Sequence, residues 1–445
     1  MTKQQRLILI ISILASFVAF LDASVVNVAL PDIVRDLGGG LRAQQWVVDA
    51  YLITLGSLIL LAGSLSDLFG RRRILIVGLL WFGVASVLCA LAPTTLFLIV
   101  ARLLQGMAGA LLVPSSLALI ISSFSGATQG KAIGTWTAWT GISFIVGPLV
   151  GGFLVDSVSW RLVFAINVLP IAVTFWLISK WEHKDEAKKK IPIDVIGAAL
   201  CSLGLAATVY ALIEQPYFDF ENAIIWVPLL AGPLLLLCFV WWERRATHPM
   251  LPLELFKVRN FTVGNVATFA IYAGLSVATF LITVYVQQLG GYSALEAGLC
   301  LLPVTGLMFV LSPLFGKLAS THGSRLFMTV GPITCALGFL SLLRIDASFN
   351  YPIHILPGIL VFGIGLSITV APLTHAVLGS IDNRHAGIAS AINNAIARIA
   401  GLLAIAAIAV IIGGAELTLG GLYRGIFAIS TLLALGGIVS AFGIR

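Results

Sequence analysis

The chain is 445 residues long, 59% hydrophobic and only 10% charged, with a formal net charge of +7. A soluble globular domain carries about 25% charged residues, so a soluble fold is excluded. Apolar runs of about 20 residues, each able to cross roughly 30 Å of hydrocarbon, recur along the whole length. In chain order they predict helices at about 7–31, 46–66, 74–92, 96–121, 131–155, 161–181, 193–214, 223–242, 260–286, 295–319, 325–343, 353–379, 385–412 and 422–443. The expected fold class is therefore an all-α polytopic membrane protein with fourteen spans. The first run reads as a spanning helix rather than a cleaved signal peptide, because it is long, lacks an evident cleavage site and carries Asp22. Cys89, Cys201, Cys238, Cys300 and Cys335 all fall inside predicted helices, where they pack as small apolar groups rather than pairing.

The basic excess is a topology signal rather than a nucleic-acid patch. With the N-terminus placed in the cytoplasm, nineteen of the 26 Lys and Arg fall on that side, Arg71–Arg73, Lys184, Lys188–Lys190, Arg384 and Arg445 among them. Five fall on the other side, and Arg102 and Arg398 lie within helices. This is the positive-inside bias, and it puts both termini in the cytoplasm.

Helix 1 contains LDASVVNVALPDI (21–33), with Asp22 deep in the apolar run. A carboxylate at that depth must face the protein interior and titrate or pair. It is a candidate proton carrier, a structural partner for Arg102, or a substrate counter-ion. Helix 2 carries Asp49 in QWVVDAYLI (45–53), either a second titrating group or an interfacial residue beside Trp46. GSLSDLFGRRR (63–73) then joins helices 2 and 3. Gly63 allows close helix approach and Gly70 a tight turn. Asp67 is placed to cap the next helix and pair with the Arg71–Arg72 run. The bland alternative for this loop is a topogenic arginine cluster with a turn glycine.

In helix 4, Arg102, Gln105, Gly106 and Gly109 follow i, i+3, i+4, i+7 and share one face. Helix 5 reads GTWTAWTGISFIVGPLVGG (134–152); Gly147/Gly151 and Pro148/Gly152 are i, i+4 pairs that form a smooth ridge, with Gly134 upstream and Pro148 able to bend the helix. WRLVFAINVLP (160–170) opens helix 6, and the Lys-rich loop WEHKDEAKKK (181–190) closes the block. A second polar loop at 242–260 gives a parse of residues 1–181 as a six-helix bundle, 182–259 as loops with two extra helices, and 260–445 as a second six-helix bundle. An internal repeat supports it. Gly63, Leu65, Gly70 and Arg72 recur as Gly316, Leu318, Gly323 and Arg325, at the loop after the second helix of each block. Helices 9–14 hold no acidic residue at depth. Helix 13 carries Asn393, Asn394 and Arg398 on a candidate cavity wall, with Arg398 either a site for an anionic group or a tie to backbone carbonyls. His375 reads as a core histidine before a relay.

The loop 2–3 pattern, the helix 1 and helix 4 segments and Gly-Pro-x-x-Gly-Gly in helix 5 together resemble the fourteen-helix drug/proton antiporters of the major facilitator superfamily. WRLVFAINVLP also matches that family. Ser143 replaces a usual glycine of the helix 5 motif. The resemblance covers essentially the whole chain. It implies two six-helix bundles around a central cavity, alternating access, a gating role for Gly63, Asp67, Gly70, Arg71 and Arg72, and an antiporter role for Gly134, Gly147, Pro148, Gly151 and Gly152. It also implies proton coupling through Asp22 and Arg102, to which Asp49 is a candidate addition from its own position in helix 2. Gln105, Trp136, Trp139, Phe17, Tyr51, Asn393, Asn394 and Arg398 are then expected along the cavity, the aromatics either contacting lipophilic or cationic cargo or serving as ordinary packing.

The expected function is proton-coupled export of small lipophilic or amphipathic compounds from a bacterial inner membrane. The alternative is an exporter of one metabolite, lipid or siderophore, including an anionic one. An importer is disfavoured by the helix 5 motif. ATP-driven transport is disfavoured by the absence of GxxxxGK[ST], and an enzyme or receptor by the lack of a catalytic constellation or sensory domain. Expected partners are the substrate and the bilayer, with no nucleic acid, no metal and no cofactor beyond the proton; the expected state is a monomer.

Overall fold

The computed structural model describes residues 1–181, 193–218, 222–346, 350–382 and 386–444. Most of the Lys-rich loop, with Arg384 and Arg445, lies outside them. Among the described residues fourteen helices are long and apolar enough to span a membrane. They are α1 (Lys3–Leu37), α2 (Gly40–Phe69), α3 (Arg71–Ala90), α4 (Thr95–Ser123), α5 (Thr128–Ser157), α6 (Leu162–Ser179), α7 (Val195–Tyr217), α8 (Ala223–Glu243), α9 (Arg259–Gln288), α10 (Ala294–His322), α11 (Ser324–Arg344), α12 (Tyr351–Leu378), α13 (Gly387–Ala406) and α14 (Leu419–Gly443). This matches the number and order read from the apolar runs, and no strand occurs among the described residues. The chain is a multi-pass membrane protein.

Local chemistry sets the ends. Thr2 and Gln5 form a reciprocal cap on α1, and the Thr94 hydroxyl accepts the Phe97 N–H at the start of α4. Two turns need glycine. Gly70 (φ 94°) and Gly323 (φ 82°) join α2 to α3 and α10 to α11 in the same left-handed backbone region, so the sequence repeat is also a repeat of backbone shape.

The chain divides into two compact units, Met1–Leu205 with Leu235–Met250, and Ala206–Leu234 with Leu251–Arg445. The boundary runs through α7 and α8. In the first unit α4 packs on α2 and α3, and α1 packs on α4, α5 and α6. In the second, α12 packs on α10 and α11, and α9 packs on α12, α13 and α14. The pairing is the same helix for helix, as a duplicated six-helix block requires.

Several expectations change. Gly63 was read as a close-approach residue, yet a Cβ there meets nothing within 4 Å. Gly134 is likewise in open space. The N-terminus of α3 has Gly70 as its cap and no side-chain capping bond, so Asp67 does not cap; it accepts from Arg71 at 3.0 Å across the Gly70 turn. All five cysteines are free, and four are buried, but Cys238 is exposed.

Candidate functional site

The first unit encloses a polar cluster built from four helices, α1, α3, α4 and α6. Asp22 on α1 has 0% exposure, and Arg102, Gln105, Ser86 and Asn167 around it are equally sealed. Arg102 Nη1 donates to Asp22 Oδ2 at 2.5 Å and to Gln105 Oε1 at 2.6 Å. Gln105 Nε2 donates to Asp22 Oδ1 at 2.8 Å and to Ser86 Oγ at 2.9 Å. Asn167 Nδ2 donates to the same Asp22 Oδ1 at 2.8 Å. One carboxylate therefore accepts from a guanidinium and two amides, a dense set of compensating bonds for a charge at this depth.

Close helix approach makes the cluster possible. A Cβ on Gly106 would collide with the Tyr51 carbonyl and the Thr54 hydroxyl of α2, so α2 and α4 touch backbone to backbone at that point. Thr54 Oγ1 donates to the Leu103 carbonyl at 2.8 Å across the same contact. The Tyr51 ring is thereby brought 4.3 Å from the Arg102 guanidinium carbon, and Arg102 Nε donates to the Val47 carbonyl at 3.0 Å. Arg102 is thus held by a ring face and a backbone oxygen as well as by the carboxylate.

The helix 5 glycines bring α5 against α1 next to Asp22 in sequence. Gly147 would place a Cβ against Ser24, and Gly151 against Val25 and Val28. Gly152 is buried beside Gly151, and Pro148 continues the helix at intermediate exposure. Ser143, in place of the usual glycine, is buried, and its carbonyl accepts the Ser24 hydroxyl at 3.0 Å.

Gln105 and Tyr51, expected on a cavity wall, are fully buried inside the cluster. Their polar atoms go to the ion pair and the backbone, with Tyr51 Oη donating to the Ala19 carbonyl at 3.3 Å. Phe17 and Trp136 are half-buried, and Trp136 Nε1 donates to Ser16 Oγ at 3.0 Å. Trp139 is 52% exposed. Asp49 is completely buried on α2, and neither of its oxygens has a hydrogen-bond partner. Asp49 thus faces the interior of the first unit rather than its surface. In the loop, Arg71 also donates to the Ala118 carbonyl at 2.7 Å, and Arg72 lies 5.5 Å from the Trp181 ring.

In the second unit Asn393 Nδ2 donates to Asn265 Oδ1 at 3.0 Å and Thr268 Oγ1 at 2.8 Å. Asn394 is exposed and bonds its own helix at the Ser390 carbonyl. Arg398 is half-buried midway along α13. Among the described residues no cluster of His, Cys, Asp and Glu is suited to a metal.

Sequence reasoning missed Ser86 and Asn167. Asn167 was present in a quoted motif, and an amide in an otherwise apolar span was the signal that could have singled it out. Ser86 carried none, since an isolated hydroxyl in an apolar run is usually bonded to its own helix.

A family model described as Major Facilitator Superfamily matches residues 12–405. The chain belongs to the major facilitator superfamily. It is a membrane transporter rather than an enzyme. Among related superfamily members it is 33% identical over 396 residues to "Multidrug resistance protein Stp" of Mycobacterium tuberculosis (strain CDC 1551 / Oshkosh), covering 89% of this chain and 73% of that protein. It is 33% identical over 414 residues to "Methylenomycin A resistance protein" of Bacillus subtilis (strain 168), covering 91% and 87%. The superfamily fold is shared with the crystal structure of a D-xylose-proton symporter, with a TM-score of 0.70 at 15% identity over 99% of this chain and 98% of that one. A likeness at that identity speaks to the fold alone.

Proposed function

We propose that this transporter exports small lipophilic or amphipathic compounds in exchange for protons, by alternating access, with Asp22 as the acid that loads and releases the proton. One observation carries the reading. A sealed carboxylate on α1 is bonded to a guanidinium that has other places to rest its charge. When a proton neutralises Asp22, Arg102 keeps Val47, Gln105 and Tyr51, so the cluster can exist in both protonation states. The relatives' names as resistance proteins support export as the direction and drug-like compounds as the cargo.

In the proposed cycle, substrate is taken from the cytoplasm or inner leaflet while Asp22 is ionised and is released outside. A proton from the outer side then loads Asp22, and the carrier returns. Each tenfold proton gradient supplies about 1.4 kcal/mol, and the membrane potential adds about 2.3 kcal/mol per charge per 100 mV. Asp49, buried without a partner, offers a second place for a proton on the way. The setting is a bacterial inner membrane with both termini cytoplasmic, following the distribution of Lys and Arg. The working unit is a monomer needing no cofactor except the proton.

A second reading, export of one anionic metabolite, lipid or siderophore, draws on Arg398 in a set of helices, α9–α14, whose only acidic residue is Glu296 in the first turn of α10. Proteoliposomes with a pH-sensitive dye inside and an imposed proton gradient separate the two. Lipophilic cations, neutral amphiphiles and organic anions are added in turn. The first reading expects proton flux opposite to cations and neutral amphiphiles, lost in Asp22→Asn. Flux with anions alone selects the second. Unchanged flux in Asp22→Asn removes Asp22 as the coupling acid.

A further inference from the structure

Asn167 sits where α6 is interrupted, between the helical segments Leu162–Ala165 and Val168–Ser179. Its side chain is completely buried, and its two polar atoms are unequally used. Nδ2 donates to Asp22 Oδ1 at 2.8 Å and reaches Ser86 Oγ at 3.4 Å, whereas Oδ1 has no hydrogen-bond partner. A buried acceptor left idle beside an ionisable group needs an explanation.

The two states of Asp22 make opposite demands on this neighbour. An ionised carboxylate only accepts, so it must be met by Nδ2. A protonated carboxyl carries an O–H that needs an acceptor. Amide nitrogen and oxygen have nearly the same size, so a half-turn about the Cβ–Cγ bond exchanges them with little repacking. We infer that Asn167 is a positioning residue that reads the charge of Asp22, donating through Nδ2 while Asp22 is ionised and turning Oδ1 toward it when the proton is loaded. Ser86 serves either orientation, because a hydroxyl both accepts and donates. The proton adds to one Asp22 oxygen, no other bond is made or broken covalently, and Arg102 keeps its charge. The amide thereby passes the protonation state of α1 to the break in α6.

The other groups facing Asp22 do not supply this exchange. Arg102 on α4 is donor-only. Cys89 on α3 is spent on Gln105 Oε1 at 3.5 Å, and Tyr51 on α2 meets Arg102 and bonds the Ala19 carbonyl. The titratable groups of α5, Lys131 and Asp156, stand near its two ends. Gln105 has both atoms committed, Oε1 to Arg102 and Nε2 to Asp22 and Ser86.

This inference rests on Asp22 being the proton-loading acid, and its test keeps the two apart. The probe is the proton itself. The pH-dependent infrared carbonyl band of Asp22 is followed in the purified protein in lipid, and identified by its loss in Asp22→Asn. In Asn167→Leu the protonated-carboxyl band is expected to move to higher frequency, as an unbonded carboxyl does. The pH dependence of that band is expected to change with it, because each protonation state has lost the amide partner it uses. Asn167→Gln, which keeps both atoms, should restore most of the wild-type profile. Asn167→Asp supplies a second arm that tolerates a poorly folding leucine variant. Two adjacent carboxyls sharing one site titrate in two macroscopic steps where the wild type shows one. A wild-type band and midpoint in Asn167→Leu, or a single step in Asn167→Asp, overturns the role of Asn167. Absence of any band that disappears in Asp22→Asn overturns the reading of Asp22 instead.

Discussion

The two units repeat one pattern of helix pairing around very different interiors. In the first, α1, α3, α4 and α6 bring a carboxylate, a guanidinium, two amides and a hydroxyl into one sealed cluster. In the second, the matching first and fifth helices meet through Asn265, Thr268 and Asn393, a neutral set of bonds. The same scaffold therefore supports an ionic interior or an amide interior. What differs is whether the interior can change its charge, since amides do not titrate near neutral pH and a carboxylate can. Under the proposed function, energy coupling falls to the first unit, and recognition and packing to the second.

The largest expected effect comes from breaking the ion pair. Arg102→Met leaves Asp22 without its charge partner, and removing one member of a buried pair costs about 3–5 kcal/mol. Thermal unfolding of the purified protein should show a marked loss, and Asp22→Asn added to it should recover part of the loss by removing the uncompensated carboxylate. Gly106→Ala follows. Its methyl group meets the Tyr51 backbone, and forcing such a contact costs about 1–3 kcal/mol. Both stability and proton coupling should fall, because the same contact carries Tyr51 to Arg102. In the second unit, Asn393→Ala removes two donated bonds, each worth about 1 kcal/mol; unfolding temperature should drop modestly while the pH dependence of transport stays as in wild type. A changed pH profile there would break the division of labour. Arg398→Gln should alter preference between anionic and cationic compounds by about tenfold, about 1.4 kcal/mol, read from transport of the two classes side by side. Gly63→Ala is the smallest, within about 0.5 kcal/mol, since nothing occupies the space its methyl would enter.

The loop glycines show how far sequence spacing reaches. Gly70 and Gly323 carry the left-handed conformation that their place between two helices demanded, whereas a Cβ on Gly63, in the same motif, would meet nothing within 4 Å. A motif marks positions of constraint without saying which constraint is steric. Tyr51 and Gln105 were placed on a cavity wall because their helices were expected to line one, yet they face inward. Which side of a helix meets a neighbour depends on helix rotation, and a span that is apolar all round gives little periodic signal to set it.

The amino-acid sequence by itself determined that the chain spans a membrane fourteen times, that its two blocks repeat, and that Asp22 and Arg102 must turn inward. These follow from local quantities: the length of apolar runs, glycine where φ is positive, and the cost of a charge in hydrocarbon. Only the tertiary structure decided that Gln105, Ser86 and Asn167 complete the shell around Asp22, that Tyr51 supports Arg102, and that Asp49 is buried without a partner. Those facts depend on how helices far apart in sequence rotate and approach, and a hydrogen bond between residues 22 and 167 has no signature in either segment alone.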